Sequence, residues 1–339
     1  MLNNETSAEK LFPFASFKNT ILSTEDLPFE EMAMQLFRFQ AQHLPAYRQW
    51  IDLLGLKLKD IKNLTEIPFL PIQFFKSHDL RVFQEAPKDY FLSSGTGGYG
   101  ASKHAVYDLE FYDRHSLKLF EDQYGPVAEY FVAALLPSYL ERKGSSLIRM
   151  ADNFIKASDD PESAFFLNDL AALQLLLRKK TKVGAKILLL GVSFALMDLA
   201  EAFPQNLAGT IIMETGGMKG RRAEITRQEL HQKLKVAFGV EQIHSEYGMT
   251  ELMSQAYSKG AGLFAPAPTL KVLPRQIEDP FTRADYGRAA GLNLIDLANV
   301  HTCAFIESQD LGRVYEDGSF EVLGRYDHSE IRGCNLMVR

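Results

Sequence analysis

Between Tyr90 and Phe238 the chain alternates short strand-like runs with stretches of helical periodicity, and no other feature restricts its fold as much. YFLSS from Tyr90, YFVAALLP from Tyr130, KILLLGV from Lys186 and GTIIMET from Gly209 read as strands. Helices are predicted from Asp108, between Ser145 and Lys180, through Leu199, and from Thr226 to Phe238. Such an order buries the apolar faces of both element types when a mainly parallel sheet is covered by helices, which makes the fold class α/β. Ligands of sheets of this kind sit beyond the carboxyl ends of the strands.

The flanks read differently. Residues Leu27 to Leu54 carry Met32, Met34, Leu36, Phe37 and Phe39 at helical spacing, ending at Gly55. After Thr250 the runs TLKVL, GLNLIDL, CAFIE, GRVYE and SFEVLG are β-like, with a hairpin turn at Glu316-Asp317-Gly318-Ser319. The chain of 339 residues exceeds the roughly 250–300 at which single cores stop growing. It therefore reads as one large two-lobed domain over 1–325, the smaller lobe β-rich, whose three successive parts are a helical part (1–85), an α/β part (86–250) and a β-rich part (251–325), followed by a tail (326–339).

A net charge of −6 gives no reason to expect a nucleic-acid partner, whose binders usually present a basic face, and leaves room for a local basic pocket. The start, Met1 to Glu5, lacks the pattern of a signal peptide. The longest apolar run, Ile187 to Met197, is shorter than the ~20 residues of a membrane span. A cytoplasmic location without a membrane span is expected. Cys303 and Cys334 form no CxxC pair, so no disulfide framework or zinc site is implied, and no HExxH occurs among the eight histidines.

Two segments carry groups suited to a nucleotide. Ser93-Ser94-Gly95-Thr96-Gly97-Gly98 follows a strand and can turn backbone N–H groups and hydroxyls toward phosphate oxygens, or be a plain surface turn. It contains a formal G-x-G-x-x-G at Gly95, Gly97 and Gly100, but no acidic residue ends a following strand as a dinucleotide fingerprint requires. Tyr247-Gly248-Met249-Thr250-Glu251 presents an aromatic plane for a base, a hydroxyl for phosphate and a carboxylate for Mg²⁺, or else a capped strand-to-helix turn. A third segment, Gly191-Val192-Ser193-Phe194-Ala195, is placed like a hydrolase nucleophile elbow, with Asp296 and His301 as the available partners. In a parallel sheet it is equally a simple strand-to-helix turn.

In that order, SSGTGG, YGMTE, Asp310 within ESQDLG and GRYDHSEIRG from Gly324 resemble successive motifs of the adenylate-forming superfamily of acyl-CoA synthetases and luciferases. IPFLPIQFFKS from Ile67 and METGGMKGR from Met213 are similar to the acyl-protein synthetase (LuxE-type) branch, and the resemblance runs from about Ile67 onward. It implies the large-domain fold of that superfamily without its mobile C-terminal domain, and ATP and Mg²⁺ as cofactors. By the same resemblance Ser93 to Gly98 hold the β- and γ-phosphates. Gly216 and Gly217 line the adenine pocket, and Tyr247 stacks on adenine with Gly248 and Met249 beside it. Thr250 touches the α-phosphate, Glu251 supports Mg²⁺, Asp310 bonds the ribose, Arg325 reaches ribose or phosphate, and Asp327 marks the hinge. The implied activity is conversion of a carboxylic acid, a fatty acid by family, to acyl-AMP with transfer to a thiol. Cys334 is the acyl acceptor on this reading, or an inert residue of the tail.

The sequence departs from the family where Tyr99-Gly100-Ala101-Ser102-Lys103 replaces the usual Pro-Lys-Gly, which displaces Lys103. The lysine of the C-terminal domain has no counterpart, and Lys219 or Arg221 are the candidates to replace it, unless a partner does. The partners implied are an acyl carrier, CoA or an acyl reductase. Two rival readings stand: an acyl- or aryl-CoA ligase needing a separate C-terminal domain, and a non-catalytic nucleotide- or acyl-binding subunit of a reductase complex.

Overall fold

The computed structural model describes residues 12–23, 26–93, 100–137, 144–216 and 225–326. Helices α1 (Phe14–Ser23), α2 (Phe29–His43) and α3 (Pro45–Leu53) open the chain. The single helical stretch expected up to Gly55 is broken at Leu44, whose extended backbone precedes Pro45, because proline disfavours a helical conformation in the residue before it. Strand β1 (Leu70–Pro71) and helix α4 (Phe74–Ser77) follow. The YFLSS strand is β2 (Asp89–Leu92), and it pairs antiparallel with β3 (Lys103–Val106) in a two-stranded hairpin. This corrects the expectation that it joins the parallel sheet.

The α/β region contains α5 (Leu109–Tyr124), β4 (Tyr130–Leu135), α6 (Ser146–Ala157), β5 (Ala164–Phe165), α7 (Leu170–Lys182), β6 (Lys186–Val192), α8 (Ser193–Ala202), β7 (Ile211–Thr215), α9 (Arg227–Phe238), β8 (His244–Tyr247) and β9 (Ala256–Ser258). Its sheet has the order β5-β4-β6-β7-β8-β9, parallel except for β9. Every residue of β4 is buried, as an unbroken apolar strand requires when both faces are covered. Helix α9 starts where the sequence places it: Thr226 and Glu229 form a reciprocal capping box that satisfies two otherwise orphaned backbone donors. Helices α8 and α9 pack on each other, α8 against β6 and β7, while α5 and α6 form a second pair with α6 against β4. Gly191 explains the GVSFA segment without chemistry. A Cβ there would lie 2.9 Å from both Leu135 Cβ and Leu196 Cγ, so only glycine lets α8 close on β6.

The C-terminal part contains β10 (Leu263–Phe264), β11 (Leu270–Arg275), β12 (Ala289–Asp296), β13 (Phe305–Val314) and β14 (Phe320–Arg325), in the sheet order β10-β14-β13-β12-β11. CAFIE and GRVYE, read as separate strands, are one strand, β13, and the turn at 316–319 closes it onto β14 with Tyr315 N–H donating to Ser319 O at 2.8 Å. The amino-terminal part is stitched into this sheet. Strand β1 pairs in parallel with β13, and Gln40 of α2 donates to Asn299 O at 2.7 Å while accepting from Ala304 N–H at 2.9 Å. Among the described residues no helix is long and apolar enough to cross a membrane.

Candidate functional site

Strands β6, β7 and β8 run parallel, so Val192, Thr215 and Tyr247 end on the same edge of the sheet. Beyond β8 the chain turns through Gly248 to Glu251, with Leu252 N–H donating to Met249 O at 3.1 Å. The Tyr247 hydroxyl donates to Asp310 Oδ2 at 2.7 Å, and Arg325 Nε donates to Asp310 Oδ1 at 3.0 Å. Asp310 and Arg325 are register partners across β13 and β14, so the pairing of these strands brings together residues 15 apart in sequence. The Tyr247 ring packs against Phe264 at 5.7 Å and Phe320 at 5.4 Å. Burial, reinforced by the charge of Asp310, pushes the phenol well above its ordinary pKa and keeps it a donor.

Glu251 is buried and bonded to the Ser102 side chain. Burial raises its pKa, and the Ser102 bond and the charge of Arg325 only partly oppose this. Ser102 in turn is locked to Ser93: its N–H donates to Ser93 Oγ at 2.8 Å, and Ser93 N–H donates to Ser102 O at 3.1 Å. The two ends of the glycine-rich loop are thereby fixed against Glu251. Ser94, Gly95, Thr96, Gly97 and Gly98 lie outside the described residues, as do Gly217, Lys219, Arg221, Asp327 and Cys334.

The half-buried Thr250 is held by its carbonyl. His104 Nδ1 lies 2.8 Å from Thr250 O and its Nε2 lies 2.9 Å from Thr302 Oγ1. Burial drops the His104 pKa to about 4, so a neutral ring donating from Nδ1 and accepting at Nε2 satisfies both contacts. Asn299 Nδ2 donates to Glu251 O at 2.8 Å from the other side. Lys103, between Ser102 and His104, is exposed.

Gly216 directly follows β7, and its carbonyl accepts from Ser193 Oγ at 3.0 Å. Below it, buried Glu214 accepts from Ser245 Oγ at 2.7 Å and lies 3.3 Å from Arg227 Nε and 3.5 Å from His231 Nε2. Burial alone would raise the Glu214 pKa, but the contacts with His231, Arg227 and Ser245 outweigh it and hold the carboxyl below its usual range. Arg227 also donates from Nη1 to Val322 O at 2.8 Å, so it ties the parallel sheet to β14.

The elbow reading fails. Asp296 is engaged by Met253 N–H at 2.8 Å, Ser254 N–H at 3.0 Å and Ser254 Oγ at 2.6 Å, while His301 is stacked on Phe14. Neither serves Ser193. Cys303 is fully buried, and burial pushes its thiol up to about 12, as suits a core residue.

Ser102, His104, Glu214 and Arg227 escaped the reading of the sequence. Ser102 and His104 flank an exposed lysine at strand spacing, a signal of a buried face but not of what lies on it. Glu214 and Arg227 are brought together only by the packing of α9 on β7.

No family model matches the sequence, and no curated protein matches it. Solved structures do match. An open conformation of 2-hydroxyisobutyryl-CoA ligase in complex with 2-HIB-AMP and CoA is 13% identical, with a TM-score of 0.65, over 96% of this chain and 75% of that one. The same ligase in its thioesterification state gives 14% identity and a TM-score of 0.64 over 96% and 73%. ATP-bound MatB from Rhodopseudomonas palustris is 17% identical, with a TM-score of 0.52, over 70% of this chain and 47% of that one. The chain thus spans about half the length of MatB and three quarters of the ligase. The match extends over nearly all of this chain, and its fold is therefore that of the matched part of 2-hydroxyisobutyryl-CoA ligase.

Proposed function

We propose that this chain uses Mg·ATP to activate a carboxylic acid as an acyl-adenylate and passes the acyl group to a thiol, in the manner of an acyl-protein synthetase. The observation that carries the reading is the convergence of Tyr247, Glu251, Asp310 and Arg325 beyond β8, on a fold shared with a ligase that holds 2-HIB-AMP. Ser93 to Gly98 would embrace the outer phosphates, Gly216, Gly217 and Tyr247 would bound the base, and Asp310 with Arg325 would take the ribose. Thr250 would meet the α-phosphate, and Lys219 is the candidate cation for the transferring acyl group.

The acid's carboxylate oxygen attacks the α-phosphorus, the bond to the β-phosphate oxygen breaks, and pyrophosphate leaves. A thiolate, having lost its proton, then attacks the acyl carbonyl and AMP departs. Glu251 fits a Mg²⁺ ligand. It offers a single carboxylate, the mode in which Mg²⁺ takes its remaining ligands from phosphates and water, and a cation would offset the burial that disfavours its charge. Bound there, Mg²⁺ supplies neutralisation of phosphate charge. Fatty acid is the proposed substrate and Cys334 the proposed acceptor. The chain's place beside an acyl reductase or acyl carrier in the cytoplasm belongs to the same reading.

Carboxylate-dependent ATP–pyrophosphate exchange over a panel of fatty and aryl acids tests the first step. Exchange is expected with wild type and Cys334→Ser and is lost in Glu251→Ala. ATP binding without exchange for any acid would overturn the catalytic reading in favour of a binding subunit.

A second reading makes CoA the acceptor, and the ligase structure with CoA bound favours it. Mass spectrometry after incubation with acid and Mg·ATP separates the two. An acyl adduct on Cys334 supports self-acylation, and acyl-CoA formed on adding CoA, with Cys334 unmodified, supports the alternative.

A further inference from the structure

A cavity of about 460 Å³ opens where the segment after α3 meets β11 and β12. Its volume falls in the range of small-molecule sites. Its lining is largely apolar, including Leu56, Ile67, Phe69, Leu273 and Phe281. None of its lining residues belongs to the Tyr247–Asp310–Arg325 group. Phe281 and Leu56, both in the lining, keep 62% and 40% of their surface exposed, part of which a ligand in the cavity would cover.

The polar part of the lining is unusual. Arg275 is the largest fully buried side chain among the described residues. It enters the interior over Gly291, where a Cβ would lie 2.6 Å from its guanidinium carbon. Its Nη2 donates to Ser308 O at 2.9 Å and also meets the Tyr326 hydroxyl, and Nη1 donates to Gln276 O at 3.2 Å. The nearest carboxylate, Glu307, stands at 3.6 Å, and burial pulls the Arg275 pKa below its ordinary value with Glu307 opposing. Arg275 Nε and Asn293 Oδ1, both sealed from solvent, have no hydrogen-bond partner. Arg283 adds a second guanidinium to the lining, stacked on Tyr286 at 4.7 Å. Glu66, the one carboxylate in the lining, already accepts from Lys62 N–H at 2.6 Å. A buried cation with an unused donor, a second cation and apolar walls complement an anion with an apolar body.

We propose that this cavity is a second ligand site, for a small organic carboxylate with an apolar body. The carboxylate is drawn to the Arg275 and Arg283 side of the cavity, where the Asn293 amide can turn to present its NH₂ group. A small rearrangement admits it to Arg275 Nε, and the apolar body covers Phe281 and Leu56.

The chain carries its own reporter. Its single tryptophan, Trp50, donates to Phe69 O at 3.1 Å and stacks 6.4 Å from Phe281, two residues of the cavity wall. Titration of the full chain with octanoate, without ATP, should give a saturable change in Trp50 fluorescence, with 1-octanol bound at least about tenfold more weakly. Phe281→Ser and Arg283→Gln change exposed residues and should weaken octanoate, Arg283→Gln also narrowing its margin over 1-octanol. Arg275→Met, if circular dichroism shows it folded, should remove that margin; if it unfolds, the two surface variants decide. Glu251→Ala should leave octanoate binding unchanged, so this site and the adenylation reading fail separately. Absence of a saturable signal, equal binding of 1-octanol, or indifference to both surface substitutions overturns the proposal.

Discussion

The Tyr247 hydroxyl donates to Asp310 at 2.7 Å, joining the end of the parallel sheet to the middle of β13. Asp310 is buried, and its other oxygen accepts from the largely exposed Arg325. Tyr247→Phe leaves a buried carboxylate oxygen without its donor, a loss of about 1–3 kcal/mol. Denaturant titration should show that loss of stability, and calorimetric titration with ATP should show weaker binding. Unchanged ATP affinity in a variant destabilised to this extent would separate Asp310 from the nucleotide.

Glu251 has a pKa raised by burial, so the folded state holds its proton where the unfolded state has released it. Its contribution to stability is then fully present below the unfolded value, near 4.5, and falls as pH rises toward the folded value. Glu251→Gln should therefore be more stable relative to wild type at pH 8 than at pH 4, while losing pyrophosphate exchange. Urea denaturation at the two pH values checks the first half, and a relative stability that does not change with pH contradicts it.

His104 behaves oppositely. Its folded pKa of about 4 lies below the ordinary 6.5, so the unfolded state takes up the proton first and stability falls as pH drops from 6.5 toward 4. The difference corresponds to on the order of 3 kcal/mol. His115, His244 and His301 are depressed as well, to about 3, 4 and 3, so the whole acid limb is shared. His104→Asn should flatten one part of that limb, read from urea midpoints between pH 4 and 6.5. It should also lower exchange activity through the Thr250 carbonyl it holds.

Ser193→Ala should cost about 1 kcal/mol, the net worth of an ordinary hydrogen bond, because its hydroxyl serves Gly216 O. Exchange activity should survive. Hydrolysis of a p-nitrophenyl ester by wild type that disappears in this variant would restore the hydrolase reading.

Local patterns were sufficient for most of the elements. The run KILLLGV read as a strand and the helical pattern from Thr226 to Phe238 marked α9, because periodicity is a property of adjacent residues. Strand partners were not local. YFLSS has the composition of a parallel-sheet strand, yet it pairs antiparallel with Lys103–Val106. Likewise β1 contributes two residues to a sheet whose other strands all lie beyond residue 262.

The site divides along the same line. By itself the sequence offered SSGTGG and YGMTE as short clusters of groups suited to phosphate and to a base, since each is written within a few neighbouring residues, whereas Asp310 was reached only through the family resemblance. Only the tertiary structure decided that Ser102 meets Glu251, that His104 holds Thr250, and that Arg227 ties Glu214 to β14. Those contacts depend on the pairing of β2 with β3 and on how α9 lies on its sheet, and side-chain packing at long sequence separation leaves no period in the chain to read.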